Sequence, residues 1–284
     1  MHKLAIGTAQ FGIPYGIANQ DGQVHGDEIN NILDLAWENG IDTLDTAKVY
    51  GRSEEIIGNY LKKRPENFWN IITKLSDGEK NISDQIQNSF EKLTILPTIV
   101  MAHSTALFLD DEFQKELSDA KEKQVISKVG ISLYNASEIN QVMESTLKPD
   151  VIQLPMNMLD TQLYRCGILE QLDEKGVEIH VRSAFLQGLF YLPDADLKNR
   201  FGDALLYINK LKCIAEKAVL TLAELSLLWL VSLEEVSKVI IGMDNVDQLK
   251  AHLETLKKSV GPDVFEEALS IHYENETILN PSLW

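Results

Sequence analysis

A chain of 284 residues with 44% apolar and 24% charged side chains has the composition of a folded globular protein, and one α/β barrel of roughly 250 residues fits that length. The formal net charge of -17 repels phosphate and argues against a nucleic-acid or anionic-membrane partner. No apolar run approaches the roughly 20 residues of a membrane span, residues 1–7 are too short for a signal peptide, and Cys166 and Cys213 lack metal spacing. The expectation is a cytoplasmic protein with reduced thiols and no metal.

The predicted elements follow in order. Residues 4–8 form a first apolar run, and residues 12–26 are glycine-rich and polar, a loop over one end of the fold. Ile29, Leu33, Ala36 and Trp37 then recur at helical spacing. Residues 43–47 form the second run, and Ile56, Ile57, Tyr60 and Leu61 mark the next helix. Further runs lie at 71–75, 98–102, 129–133, 151–155 and 178–182. Two helical patterns follow, at 205–219 and 221–232, the second opened by a Thr221/Glu224 capping box. The last run is 239–243, and the tail beyond Tyr273 reads as irregular.

Continuous apolar strands alternating with helices imply a parallel sheet with a covered outer face. Eight such units predict a closed (β/α)8 TIM barrel, with residues 1–284 as a single domain and no linker. The doubly wound alternative requires Gly-x-Gly-x-x-Gly after the first strand. Gly7-Thr8-Ala9-Gln10-Phe11-Gly12 stands there instead.

In a barrel the chemistry sits at the C-terminal strand ends. Those ends read Thr8, Asp45, Lys74, His103, Ser132, Gln153, Arg182 and Gly242. Polar groups there cost free energy unless they pair with each other or with a ligand. Asp45, Lys74 and His103 end three successive strands, and Tyr50 lies in the loop after the first of them. A phenol of pKa about 10 is a poor acid at neutral pH. A nearby ammonium lowers that pKa, and Lys74 is placed to supply it. Asp45 keeps Lys74 charged, and His103 can direct a carbonyl oxygen. Such a set can protonate a carbonyl, and the hydride must then come from a cofactor.

The segment Asp45-Thr46-Ala47-Lys48-Val49-Tyr50-Gly51-Arg52-Ser53-Glu54 resembles the Asp-Thr-Ala-x-x-Tyr-Gly-x-Ser-Glu signature of the aldo-keto reductase superfamily. Thr73-Lys74, His103, Gly130-Ile131-Ser132, Gln153 to Asn157, Phe185 to Leu189, and Ile241-Gly242 to Gln248 resemble its later strands. The resemblance implies an oxidoreductase that reduces an aldehyde or ketone with NADP or NAD as cofactor. It implies Tyr50 as general acid, Lys74 and Asp45 in support, and His103 as substrate-orienting group. Ser132 and Gln153 would hold the nicotinamide carboxamide, and Arg182 occupies a place where many members stack an aromatic ring on the nicotinamide. Gly242, Asp244 and Gln248 would surround the adenosine, with Thr8 and Ser183 completing the cofactor-binding set.

Asp244 stands where many NADP-dependent members carry a basic residue. It can favour a free ribose 2'-hydroxyl over a 2'-phosphate, or it can simply cap the helix near Val246; Lys250 is the nearest basic alternative. Ala251-His252 replaces the family's usual Glu-Asn pair. Pocket walls are expected from Gln10, Phe11, Tyr15, Ser104, Tyr134 and Trp284. The variant also resembles bacterial members linked to sugar metabolism. Two other readings stand beside the reductase. One is a Schiff-base lyase using Lys74. The other is a catalytically silent barrel that binds cofactor as a sensor or accessory subunit.

Overall fold

The computed structural model describes residues 2–76 and 81–284. Eight parallel strands pair in sequence order and close into a barrel. They are β1 (Leu4–Gly7), β2 (Thr43–Asp45), β3 (Asn70–Leu75), β4 (Ile99–Ala102), β5 (Lys128–Ser132), β6 (Val151–Pro155), β7 (Glu178–Arg182) and β8 (Val236–Ile241). Closure is made by β1 on β8, with Leu4, Ala5 and Ile6 opposite Val239, Ile240 and Ile241.

Alternation along each strand separates two apolar layers. In β3, Ile71 and Leu75 join the main core between the barrel and its helices. Ile72 belongs instead to a small inner cluster with Ile99, Met101 and Val151. Lys74 has the parity of Ile72, so its side chain enters the barrel just above this plug. Each fully buried Leu or Ile contributes about 1.5–3 kcal/mol relative to exposure, and the wall strands consist largely of such residues.

The helices stand where apolar periodicity places them. Helix Gly26–Glu38 buries Ile29, Ile32, Leu33 and Ala36. Helix Ser53–Lys63 passes so close to the carbonyl of Lys92 that a Cβ on Gly58 would lie 2.0 Å from that oxygen. The capping box at Thr221 forms as expected, with each partner meeting the other's backbone N–H.

Three elements depart from the sequence reading. Strand β8 begins at Val236, three residues before the apolar run suggests, because Lys238 points inward. Its Nζ donates to Asp42 Oδ1 at 3.0 Å and to the His2 carbonyl at 2.9 Å. The first of the paired helical patterns starts earlier, in helix Asp194–Lys217, which kinks at Phe201 (φ -133°). The segment before the tail holds a further helix, Pro262–Leu269, opened by a proline in its first turn. No described helix is long and apolar enough to cross a membrane.

Candidate active site

Asp45 at the end of β2, Lys74 near the end of β3 and Gln153 in the middle of β6 meet inside the barrel. Lys74, 1% exposed, and Asp45, 3% exposed, form an ion pair with Nζ 2.5 Å from Oδ2. Lys74 also donates to the Thr46 carbonyl at 3.4 Å. The second carboxylate oxygen of Asp45 accepts from Gln153 Nε2 at 2.8 Å. A carboxylate is acceptor-only, so it fixes the Gln153 amide with its NH2 toward Asp45. The Gln153 carbonyl oxygen is left buried without a hydrogen-bond partner.

Tyr50 reaches this pair from the loop after β2. The backbone of that loop is tied to β3, with Thr46 N–H donating to the Ile72 carbonyl at 2.8 Å and Lys48 N–H to the Lys74 carbonyl at 3.1 Å. From the other side the loop is gripped by the turn after β1. A Cβ on Gly12 would fall 1.6 Å from the Tyr50 carbonyl oxygen, so only glycine permits the approach. Ser53 Oγ donates to Thr8 and lies 3.1 Å from Thr46 Oγ1. Thr73 Oγ1 donates to the buried Glu54 at 2.7 Å. Ser53, Glu54 and Gly12 thus brace Tyr50, a role that the motif spelling alone does not assign. The Tyr50 ring lies 5.3 Å from Lys74 Nζ and edge-on to His103, ring centres 6.4 Å apart.

The electrostatics differ from the expectation that Lys74 lowers the Tyr50 pKa. Burial, and then the Asp45 carboxylate, push the phenol above its ordinary value; Arg182 is the cation that pulls it down. The ammonium of Lys74 is already compensated by Asp45, which removes its leverage on Tyr50. Lys74 itself is pulled below the usual lysine range by burial, and Asp45 opposes that shift. Burial also raises Tyr15 to about 12, with Tyr50 adding to the shift and Arg182 opposing it.

Across the mouth, Arg182 does not stand free, as a ring-stacking role would suggest. Its guanidinium lies over the Tyr134 ring at 4.3 Å and donates to Ser132 Oγ and the Leu133 carbonyl, both at 3.2 Å, and to Ser183 Oγ at 3.4 Å. The hydroxyl of Ser132, expected to hold a carboxamide, therefore accepts from Arg182. The loop that follows is strained. Ser183, Leu186 and Gln187 all adopt positive φ, between 49° and 62°, at a cost of order 1–3 kcal/mol each. Bonds from outside hold it: Asn157 Nδ2 to the Ser183 carbonyl, Ser226 Oγ to the Ala184 carbonyl, and the Ile17 N–H to the Gln187 carbonyl.

At the β8 end, Asp244 does not cap the following helix. Asn245 does so, accepting from Gln248 N–H at 3.0 Å. The Asp244 carboxylate instead accepts from Asn19 Nδ2 at 3.0 Å and from Gln248 Nε2 at 3.4 Å. Asn19 is the centre of the loop over the mouth: its amide also donates to the Tyr15 and Gly22 carbonyls and accepts from the N–H groups of Asp21 and Gly22. Phe185 stacks on His252, ring centres 4.9 Å apart and 11° from parallel, and burial pushes the imidazole down to about 4.

These groups surround one cavity of about 450 Å3. Asp45, Tyr50, Lys74 and His103 line it, as do Thr8, Ser132, Gln153, Arg182, Ser183, Gly242, Asp244 and Gln248. Of the expected walls, Gln10, Tyr15 and Tyr134 line it. Phe11 is buried in the core, Ser104 caps a short helix, and Trp284 packs on Phe201. A carboxamide-bearing cofactor fits the residues present in one respect above all: Gln153 lines the cavity, and its amide oxygen is an acceptor without a partner. Gly242 adds room, since a Cβ there would meet the Gln10 amide within 2.7 Å.

The model of the Aldo/keto reductase family matches residues 3–271. Among curated proteins, an uncharacterized oxidoreductase of Bacillus subtilis, YqkF, is 25% identical over 89% of this chain and 90% of its own length. Among solved structures, the holo form of aldo-keto reductase AKR11C1 from Bacillus halodurans superposes with a TM-score of 0.76 at 22% identity, covering 96% of this chain and 94% of that one. A thermostable aldo-keto reductase, Tm1743, solved with the inhibitor epalrestat, gives 0.72 at 19% identity, over 95% of each chain.

Proposed function

The chain belongs to the aldo/keto reductase family, a family of oxidoreductases, and from that membership we propose that it reduces an aldehyde or ketone with NADH, the proton coming from Tyr50. The observation that carries this reading is the convergence of Tyr50, His103 and the buried Lys74–Asp45 pair on one cavity that Gln153 also lines.

A nicotinamide held here would supply the hydride, chemistry that no side chain possesses. The chain's own groups would meet the negative charge that develops on the carbonyl oxygen. Tyr50 is held protonated by burial, which is the state a donor needs, and it passes its proton to that oxygen. The phenolate left behind faces Lys74 and Arg182 and regains a proton from solvent. His103 directs the carbonyl toward Tyr50. Ser132 acts through Arg182, and Gln153 accepts from the carboxamide. A lyase role for Lys74 is disfavoured, because its amine is engaged by Asp45 and by the Thr46 carbonyl.

Asp244 supports NADH over NADPH. Its carboxylate lines the cavity, and it is not consumed by capping. The lysine nearest to it in sequence, Lys250, is turned to Asp247 at 2.8 Å. The cations that line the cavity, Lys74 and Arg182, are held at the ends of β3 and β7. A 2'-phosphate would meet a carboxylate, whereas a ribose hydroxyl can donate to one. The walls mix apolar groups with the polar Gln10, Tyr15 and Tyr134, and those three could serve the hydroxyls of a sugar-like carbonyl substrate.

The test is titration of the purified protein with NADH and NADPH by quenching of tryptophan fluorescence, followed by cofactor oxidation on a panel of aldehydes, ketones and aldoses. Saturable NADH binding and turnover are expected. Tyr50→Phe should lower kcat by about 10²–10⁴ and leave NADH affinity within about twofold. A protein that binds neither cofactor, or a Phe variant that keeps full activity, refutes the proposal.

A further inference from the structure

Arg182 is the one cation of the cavity without a carboxylate. Four lining side chains carry a formal charge, Asp45, Lys74, Arg182 and Asp244. The first two neutralise each other, and Asp244 lies at the β8 end. Arg182 makes no ion pair among the described residues; its partners are Ser132, Ser183, the Leu133 carbonyl and the Tyr134 face. In a chain of net charge -17, a half-buried, uncompensated guanidinium clamped at four points is a placed charge. Asp160, a carboxylate that feels its field, lies outside the cavity lining.

Geometry sets what that charge acts on. Hydride transfer requires reacting atoms about 3–3.5 Å apart, and Tyr50 and His103 fix where the carbonyl lies. On the reductase reading the nicotinamide would lie beside Tyr50, in the part of the cavity lined by Gln153 and Arg182, and the Arg182 charge is felt at Tyr50. There the reduced ring is neutral and the oxidised ring carries a positive charge.

We infer that Arg182 discriminates between the two redox states of the cofactor, weakening binding of the oxidised, cationic nicotinamide relative to the reduced one. This rests on the reductase reading above. Its consequence is directional: the enzyme is loaded preferentially with NADH, and the oxidised product is expelled by the charge that the hydride transfer creates. Tyr134 and Ser132 are then positioning residues that keep the guanidinium from swinging out to solvent.

Calorimetric titration of the wild-type protein, Arg182→Gln and Arg182→Lys with NADH, NAD+ and ADP-ribose tests this without turnover. The wild type should bind NADH more tightly than NAD+, with NAD+ no tighter than ADP-ribose, which lacks the ring. Arg182→Gln should narrow the NAD+/NADH dissociation-constant ratio by about tenfold to a hundredfold, the scale of one unit charge about 5 Å away in a partly hydrated site. Arg182→Lys should leave the ratio within about threefold. Equal binding of NAD+ and NADH by the wild type overturns the inference without any variant, and so does an unchanged ratio in Arg182→Gln. If the wild type binds neither nucleotide, the reductase reading itself falls; if it binds both with a ratio insensitive to charge, only the role of Arg182 falls.

Discussion

Asp45→Asn isolates the ion pair on which the site is built. The change keeps shape and leaves an acceptor for Gln153, but it turns an NH2 donor toward the Lys74 ammonium. That ammonium is 1% exposed and keeps only the Thr46 carbonyl at 3.4 Å. Breaking one side of a buried pair costs about 3–5 kcal/mol, against a typical total stability of about 5–15 kcal/mol. With a urea m-value of about 3 kcal/mol/M, the midpoint should fall by about 1–1.7 M. The variant remains folded at pH 7, and its deficit depends on pH. Lys74 is already below the usual lysine range in the wild type, and without Asp45 it sinks further. Between those two folded-state values the variant's native state has released a proton that its unfolded state still holds, up to about 10.4. The variant therefore gains stability as pH rises through that window, by about 1.4 kcal/mol per unit, while the wild type stays level. Urea melts followed by tryptophan fluorescence at pH 7 and 9.5 read this directly. Asp45→Asn/Lys74→Met, which removes the stranded charge, should recover most of the loss at pH 7 while remaining inactive. A single variant as stable as the wild type, or a deficit that does not change with pH, would refute the reasoning.

Other outcomes follow from the same geometry. Gly12→Ala should displace Tyr50, because its Cβ would sit 1.6 Å from the Tyr50 carbonyl oxygen; kcat should drop at least tenfold in steady-state assays, with the thermal melt lowered as well. Asp244→Arg should move cofactor preference toward NADPH by at least tenfold, since a charge-assisted hydrogen bond is worth about 1.5–3 kcal/mol; parallel NADH and NADPH titrations decide it. Gln153→Leu strands Asp45 Oδ1 and deletes the free acceptor, so NADH should bind about tenfold more weakly, measured by the same fluorescence quenching.

Much of this was legible because parallel barrel strands are apolar through their length and stop being so at one end. That contrast exposed Asp45, Lys74, His103 and Arg182; Gln153 stands in the middle of β6, followed by Leu154 and Pro155, and is a polar break inside an apolar run. Other features depend on long-range geometry. The Asn19–Asp244 bond joins residues 225 apart, and nothing local to either foretells it. Asp244 and Asn245 are adjacent, equally good caps by residue type, and only backbone geometry chooses between them. The positive φ values of Ser183, Leu186 and Gln187 fall on non-glycine residues, so turn chemistry gives no warning. The pKa direction of Tyr50 inverted because burial raises a phenol and the Asp45 carboxylate adds to the rise, and neither the depth of the ring nor that carboxylate's proximity can be read from the strand-end pattern.

The hub formed by Asn19 has a consequence for loop motion. Its bonds to Tyr15, Asp21 and Gly22 are internal to the loop. Those from Asn19 to Asp244 and from Ile17 to Gln187 anchor it to the rest of the barrel. The bonds of Gln23 Nε2 to the Phe11 carbonyl and of Val24 N–H to the Gln10 carbonyl tie its far end to the segment after β1. Lifting its centre would break only the contacts to Asp244 and Gln187 and spare the internal ones, so the segment would move as a preformed clasp and not as a disordered string. Conformational entropy of about 1–2 kcal/mol per residue would then not be surrendered anew at each closing, and opening would cost only a few hydrogen bonds.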